Sequence, residues 1–151
     1  MTLDPTGVYR QAQVATSSPV AQIVLLYEGA IRFTALSAAR LEQHDLEGSH
    51  RASLRAQAIV TELRASLNLG AGDVAVRLDA LYDFMIRRLI DGNTAKDSGP
   101  AREVVGLLRE LLEAWRVIAS PQAAAAQPAL ASAAPASPGL ASLYRTVSGA
   151  A

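Results

Sequence analysis

The 151-residue sequence contains no cysteine, which excludes a disulfide framework and a thiolate metal site. Positive and negative charges balance to a formal net charge of zero, and no basic stripe is present, so we expect no binding to nucleic acid. The chain lacks an apolar run of about 18 residues free of charge, and it begins without a secretory signal. We therefore expect neither membrane insertion nor a signal-directed exit. Half of the residues are apolar, which is ample for the core of one domain.

Four segments place apolar residues at spacings of three and four, which predicts four α-helices. Ser18 and Pro19 are typical of a helix start, and Gly70 is predicted to stop the second helix in a left-handed conformation. Asp73 is expected to cap the third helix, which continues to about Ala95, with a bend or an earlier end at Gly92 as the alternative. The connections are short, so the sequence predicts an all-α, antiparallel up-down four-helix bundle. The expected helices are residues 19–42, about 49–68, 73–95 and 99–120.

Two flanking segments differ from the predicted bundle, which covers residues 19–120. Residues 1–18 are small and polar and are interpreted as an extended N-terminal arm. Residues 121–151 contain 12 alanines, four prolines and a single charge, Arg145. Prolines spaced through alanine prevent a continuous helix, so a disordered C-terminal tail is expected.

Candidate catalytic groups are sparse. Glu47 and His50 have the Glu-x-x-His spacing of di-iron bundles, but that chemistry needs a second copy and two further glutamates, so a metal site is not expected. Asp79, Asp83 and Arg87 follow one another at four-residue spacing, which favours a surface row of ion pairs over a carboxylate pair. No phosphate loop or nucleophile motif is present, so we expect neither an enzyme nor a cofactor.

The segment 73–90 has a surplus of apolar residues, with 12 among its 18. A helix packed on one side needs only about three in seven. Either the helix is buried nearly all round, with a few exposed leucines, or its second face belongs to a groove for partner helices. Periodicity alone leaves both interpretations open and slightly favours the first.

Several blocks of the sequence resemble one known family. They read YRQ from Tyr9, QVATSSP from Gln13, LLYEGAIRF from Leu25, LYDFMIRRL from Leu81 and VVGLLRELLEAW from Val104. Asn93 and Asp97 follow the fourth block. Together the blocks cover about residues 8–119 in family order, and they are similar to the FliS family of flagellin export chaperones.

The resemblance implies a bacterial cytoplasmic protein without a cofactor. Such a protein binds the disordered C-terminal segment of flagellin in an apolar groove, prevents premature polymerisation and assists delivery to the flagellar type III export gate. An N-terminal arm anchored by Val8, Tyr9 and Val14 would cover the groove until cargo arrives. The alternative is a self-associating structural bundle that forms a homodimer.

Residues of the groove are predicted by the resemblance and by apolarity outside the main helical stripes. Phe33, Ile86 and Ile90 are the stronger candidates, whereas core packing is an equal alternative for Tyr27 and Tyr82, and Trp115 is assigned to the core. The tail suggests a further hypothesis, in which Leu140, Leu143 and Tyr144 dock in the empty groove. The predicted groove consists of Ile23, Leu26, Tyr27, Phe33, Leu78, Tyr82, Ile86 and Ile90.

Overall fold

The computed structural model describes residues 18–120, which form four α-helices and a short 3-10 turn at Leu69–Ala71. Each helix packs against two others: α1 and α3 both contact α2 and α4. This ring, with three short connections, is the predicted all-α four-helix bundle. The predicted arm and tail, with Val8, Tyr9, Val14 and the tail residues, lie outside the described residues. The helices are α1 (Pro19–Glu42), α2 (Leu46–Ala65), α3 (Asp73–Ala95) and α4 (Gly99–Ala119).

Local capping chemistry fixes the starts of α1 and α2. The Ser18 hydroxyl accepts a hydrogen bond from the Ala21 amide at 3.2 Å, and Pro19 follows it, as predicted. Helix α2 begins three residues earlier than expected because Asp45 is its cap, with the Gly48 amide donating to the Asp45 carboxylate at 2.9 Å. Ser49, the expected first residue of this helix, bonds to Ser37 of α1 through its hydroxyl.

The predicted left-handed stop at Gly70 is wrong. Helix α2 ends at Ala65, and Ser66 keeps a right-handed conformation while its hydroxyl donates to the Leu63 carbonyl at 3.0 Å. The positive backbone angle falls at Gly72, with φ of 121°, directly before α3. Asp73 therefore occupies the first turn of α3 rather than the capping position.

Helix α3 does not end at Gly92, and its last residue is the one that the sequence predicts. It continues to Ala95 and closes with Lys96 in the left-handed region, at φ of 56°. A Cβ on residue 92 would lie 2.9 Å from the Asp97 carbonyl oxygen and 3.0 Å from Pro100 Cβ. This glycine therefore lets the connection to α4 fold closely over the last turn of α3.

The core combines large aromatic residues with a seam of small ones. Trp115, Tyr27 and Tyr82 are among the largest side chains that are fully buried, which confirms the assignment of Trp115 to the core. Between α1 and α2, Ser37 and Ser49 exchange hydrogen bonds to each other's carbonyl oxygens at 3.0 and 2.8 Å. Such short polar side chains allow two helix backbones to approach closely while their buried polar atoms stay satisfied.

Among the described helices, α1 alone has the length and apolarity of a membrane span, with a mean hydropathy of 1.2 over its most apolar stretch. Half of that stretch is buried inside the bundle. The core helix of a water-soluble bundle has the same composition, and α1 contacts both α2 and α4. Its apolarity is therefore accounted for by packing within the domain.

Candidate partner-binding surface

An aromatic cluster at the centre of the bundle holds two of the predicted groove residues. The hydroxyls of Tyr27 and Tyr82 lie 2.5 Å apart, and the Tyr27 ring is 6.3 Å from the rings of both Tyr82 and Trp115. Burial raises the pKa of Tyr27 to about 12, with the hydrogen bond from Tyr82 lowering it in part. Burial also raises the pKa of Tyr82, and its contact with Tyr27 adds to the shift. Both phenols are neutral core groups in this conformation.

Six of the eight predicted groove residues are core residues, each at most 4% exposed. Two others reach the surface: Ile86 is half-buried, and Ile90 is 45% exposed. Ile86 and Ile90 lie outside the main apolar stripe of α3, and both reach the surface. Phe33 lies outside the main stripe of α1, but the structure buries it in the core. Contact between the buried six and a partner stays a prediction; they are Ile23, Leu26, Tyr27, Phe33, Leu78 and Tyr82.

The reason is the extent of the contact that each helix makes with its two neighbours. The contacts of α1 with α2 and α4 are the two most extensive in the bundle, so α1 buries a wide arc that includes Phe33. The contacts of α3 are less extensive, and its buried stripe is narrow. Residues just beside that stripe, such as Ile86 and Ile90, are therefore left at its edge.

Polar bonds at two levels fix the register of α2 against α3. Arg64 of α2 donates to Asp79 at 2.9 Å and to Asp83 at 2.8 Å, and its hydrogen bonds to these carboxylates raise its pKa. At the far end of the seam, His50 and Asn93 are 2.9 Å apart. The two helices are thus antiparallel, with residues 50 and 64 of α2 level with residues 93 and about 79–83 of α3.

An exposed apolar strip lies between these two polar levels. By this register, Leu54 of α2 lies at about the same level along the bundle as Ile90, and Ile86 lies one turn further along α3. Leu54 is 48% exposed and Ile90 45% exposed. Large apolar side chains that are adjacent and uncovered are typical of a surface that contacts a partner. We call Leu54, Ile86 and Ile90 the α2–α3 strip.

The predicted row of charges on α3 is present. The prediction did not include its central member, Arg64 of α2. Arg87 pairs with Asp83 at 3.0 Å, as its four-residue spacing indicated. Arg64, which joins both aspartates from the neighbouring helix, was missed because its role depends on the register between helices. These groups form surface ion pairs, and no catalytic arrangement is needed to explain them.

Glu47 and His50 do not form the core of a metal site. His50 bonds to Asn93, and within residues 18–120 no three metal-ligating side chains of His, Asp or Glu come together.

Comparison with known proteins gives a consistent family. The family model described as "Flagellar protein FliS" matches residues 3–123, which include all four helices. The chain is 33% identical over 113 residues to the flagellar secretion chaperone FliS of Bacillus subtilis, covering 75% of this chain and 84% of that protein. It is 36% identical over 115 residues to the protein of the same name from Salmonella typhimurium, with the same coverage of 75% and 84%. Identity to the flagellar secretion chaperone FliSB of Pseudomonas aeruginosa is 32% over 106 residues, or 70% and 84% of the two chains.

Proposed function

The chain belongs to the FliS family, and from this membership we propose that it is a flagellar secretion chaperone that binds the disordered C-terminal segment of flagellin. It acts in the bacterial cytoplasm, where it keeps flagellin from polymerising prematurely and assists its delivery to the flagellar type III export apparatus. The match of the family model over residues 3–123 is the observation that carries this proposal.

The α2–α3 strip is the proposed docking point for one apolar helix of the cargo. A flexible segment that folds on binding typically buries on the order of 1,000–3,000 Å². Three side chains supply only part of such an area, so the cargo extends along the outside of the bundle. Phe84 and Val76, which are 41% and 56% exposed on α3, offer further apolar contact on that path. The ordering of the cargo costs several kcal/mol, which keeps the complex reversible.

The first experiment mixes the full chain with a synthetic peptide of a flagellin C-terminal segment. Native mass spectrometry measures stoichiometry, and far-ultraviolet circular dichroism measures helicity. We expect a 1:1 complex whose helicity exceeds the sum of its parts. A stable homodimer that ignores the peptide would instead identify the chain as a self-associating structural bundle.

Substitutions then locate the contact. Ile90→Asp should weaken peptide binding by roughly tenfold or more, since burying one such side chain contributes about 1.5–3 kcal/mol. Val117→Asp is the matched control, because it adds the same charge to an apolar position that is 41% exposed on α4, a helix that contributes no residue to the α2–α3 strip. Both variants should melt close to the parent. Equal weakening by both would remove the α2–α3 strip as the docking point without touching the family assignment.

The N-terminal arm is proposed to cover the groove until cargo displaces it. A chain lacking residues 2–16 should then bind the peptide more tightly and faster, because no internal competitor remains. Unchanged kinetics in stopped-flow fluorescence would exclude a covering role for Val8, Tyr9 and Val14.

A further inference from the structure

A second surface lies on the other side of α2, in a cleft of about 690 Å³ between α1 and α2. Four arginines line it, and the acidic side chain in its lining is Asp45. That carboxylate is 3.4 Å from Arg40, so it offsets one of the four positive charges. With Arg32 and Arg51 outside any ion pair among residues 18–120, the cleft carries surplus positive charge in a chain whose formal net charge is zero. We call it the arginine cleft; its arginines are Arg32, Arg40, Arg51 and Arg55.

The floor of the arginine cleft is apolar. Phe33 is 2% exposed, and the guanidinium carbons of Arg32 and Arg55 lie 4.9 and 5.4 Å from the centre of its ring. Cation–π contact of this kind holds the guanidinium groups at the rim of the cleft. Leu36 adds an apolar wall that is 38% exposed. The cleft therefore presents positive charge around an apolar centre.

Two arginines of the cleft lack the ion pairs that several arginines elsewhere on the bundle form, and Arg77 and Arg109 outside the cleft share that lack. Arg88, Arg102 and Arg116 each pair with a glutamate of a neighbouring helix, at 2.6 to 3.2 Å. Arg32 and Arg51, by contrast, form no ion pair with any residue between 18 and 120. Neither guanidinium is neutralised by a carboxylate of the described residues. Guanidinium groups are weakly hydrated and match carboxylates in geometry, so an acidic ligand is the natural partner for them.

We propose that the arginine cleft binds an acidic segment of a partner protein, with a central apolar side chain seated near Phe33 and Leu36 and flanking carboxylates on the arginines. From Arg32 to Arg40 the cleft follows about 12 Å of α1, which matches two turns of a docked helix. The proposal goes beyond flagellin binding. The cleft lies on the α1 side of α2 and the α2–α3 strip on the α3 side, so both surfaces can be occupied together.

A protein segment fits this cleft better than a nucleic acid does. Nucleic-acid sites rely on long-range attraction from a basic domain, and this chain has no net charge. Phe33 lies beneath guanidinium groups, so its ring face is not offered to an incoming base. The apolar wall at Leu36 instead suits an aliphatic side chain.

The test measures binding of labelled probes to the full chain by fluorescence anisotropy at low salt. One probe is a 14-residue amphipathic peptide with glutamates beside a leucine stripe. The others are the same peptide with lysines for glutamates, the same with alanines for leucines, and a single-stranded oligothymidine. We expect the first to bind tightest, with affinity falling as salt rises. Tighter binding of the lysine peptide or of the oligonucleotide, or equal binding of the alanine peptide, would overturn the proposal.

Paired substitutions assign the binding to the cleft. The double variant Arg32→Gln, Arg51→Gln should lose affinity for the glutamate peptide by roughly threefold to tenfold, as expected for two exposed charge pairs. Arg77→Gln, Arg109→Gln is the matched control, because it removes two exposed arginines from α3 and α4. It should bind as the parent does. Equal loss in both variants would reduce the effect to overall charge and refute a specific cleft. Flagellin peptide binding should be unchanged in both.

Discussion

Replacing Gly92 by alanine tests how the turn between α3 and α4 is built. In the structure the turn folds back on this residue, and the Asp97 amide donates to the Gly92 carbonyl at 3.0 Å. A methyl group at residue 92 would lie 2.9 Å from the Asp97 carbonyl oxygen and 3.0 Å from Pro100 Cβ. Neither atom belongs to a flexible side-chain end, so relief requires a movement of the turn or of α4.

Two effects of the substitution oppose each other. Alanine is favoured over glycine within a helix by about 1 kcal/mol. Overpacking a tight site costs typically 1–3 kcal/mol. The net change is a loss of up to about 2 kcal/mol, and it is largest if the turn resists movement. A matched control exists in Gly106 of α4, where an added Cβ meets no atom within 4 Å. Gly106→Ala should therefore stabilise the chain by about 1 kcal/mol.

Urea denaturation followed by far-ultraviolet circular dichroism gives the comparison. Gly92→Ala should unfold at lower urea than Gly106→Ala, with a difference of about 1–3 kcal/mol in the free energy of unfolding. In thermal melts that corresponds to roughly 4–8 °C for each kcal/mol in a domain of this size. If Gly92→Ala stabilised the chain as much as Gly106→Ala, the close packing of the turn on α3 would be refuted.

Two further predictions concern buried and surface polar groups. The stability that the raised pKa values of Tyr27 and Tyr82 contribute should be fully present below about pH 10 and should fall as pH rises toward 12, because phenols ionise more readily in the unfolded chain. The urea midpoint of the parent should decline between pH 10 and 12, and that of the double variant Tyr27→Phe, Tyr82→Phe should decline less. An equal decline in both proteins would contradict this role of the two phenols. Arg64→Ala should lower the urea midpoint more than Arg77→Ala, because it leaves two aspartates of α3 without their shared partner. Equal midpoints would show that the register does not depend on this arginine.

The sequence predicts the helices well wherever the capping chemistry is local. Ser18 and Pro19 define the start of α1 through bonds within a few residues, and the structure has them as expected. Ser49 looks equally suitable as a cap, but its hydroxyl donates a hydrogen bond to the carbonyl oxygen of Ser37, twelve residues away on another helix. Asp45 takes the role instead. A cap can therefore be misplaced by a few residues when a tertiary contact competes for the side chain.

The candidate surface is harder to predict than the fold, because the exposure of a side chain depends on how extensively its helix packs against its two neighbours. Phe33 and Ile90 have the same status in the sequence, as apolar residues outside the main stripe. One is 2% exposed and the other 45% exposed. Arg64 and the arginine cleft depend in the same way on the pairing of helices. Composition and periodicity do not show which residues of two helices lie side by side, so these surfaces can be identified only once the antiparallel register is known.

The surplus of apolar residues in α3 is therefore of two kinds. Leu78, Tyr82 and Leu89 form its buried stripe, and they are explained by folding alone. Val76, Phe84 and Ile90 are 41% to 56% exposed, so the bundle as described leaves about half of each residue uncovered. In α1 the same surplus is largely absorbed, because its contacts with α2 and α4 are the most extensive. Apolar side chains that folding leaves uncovered on one helix point to that helix as the place where a partner completes the packing.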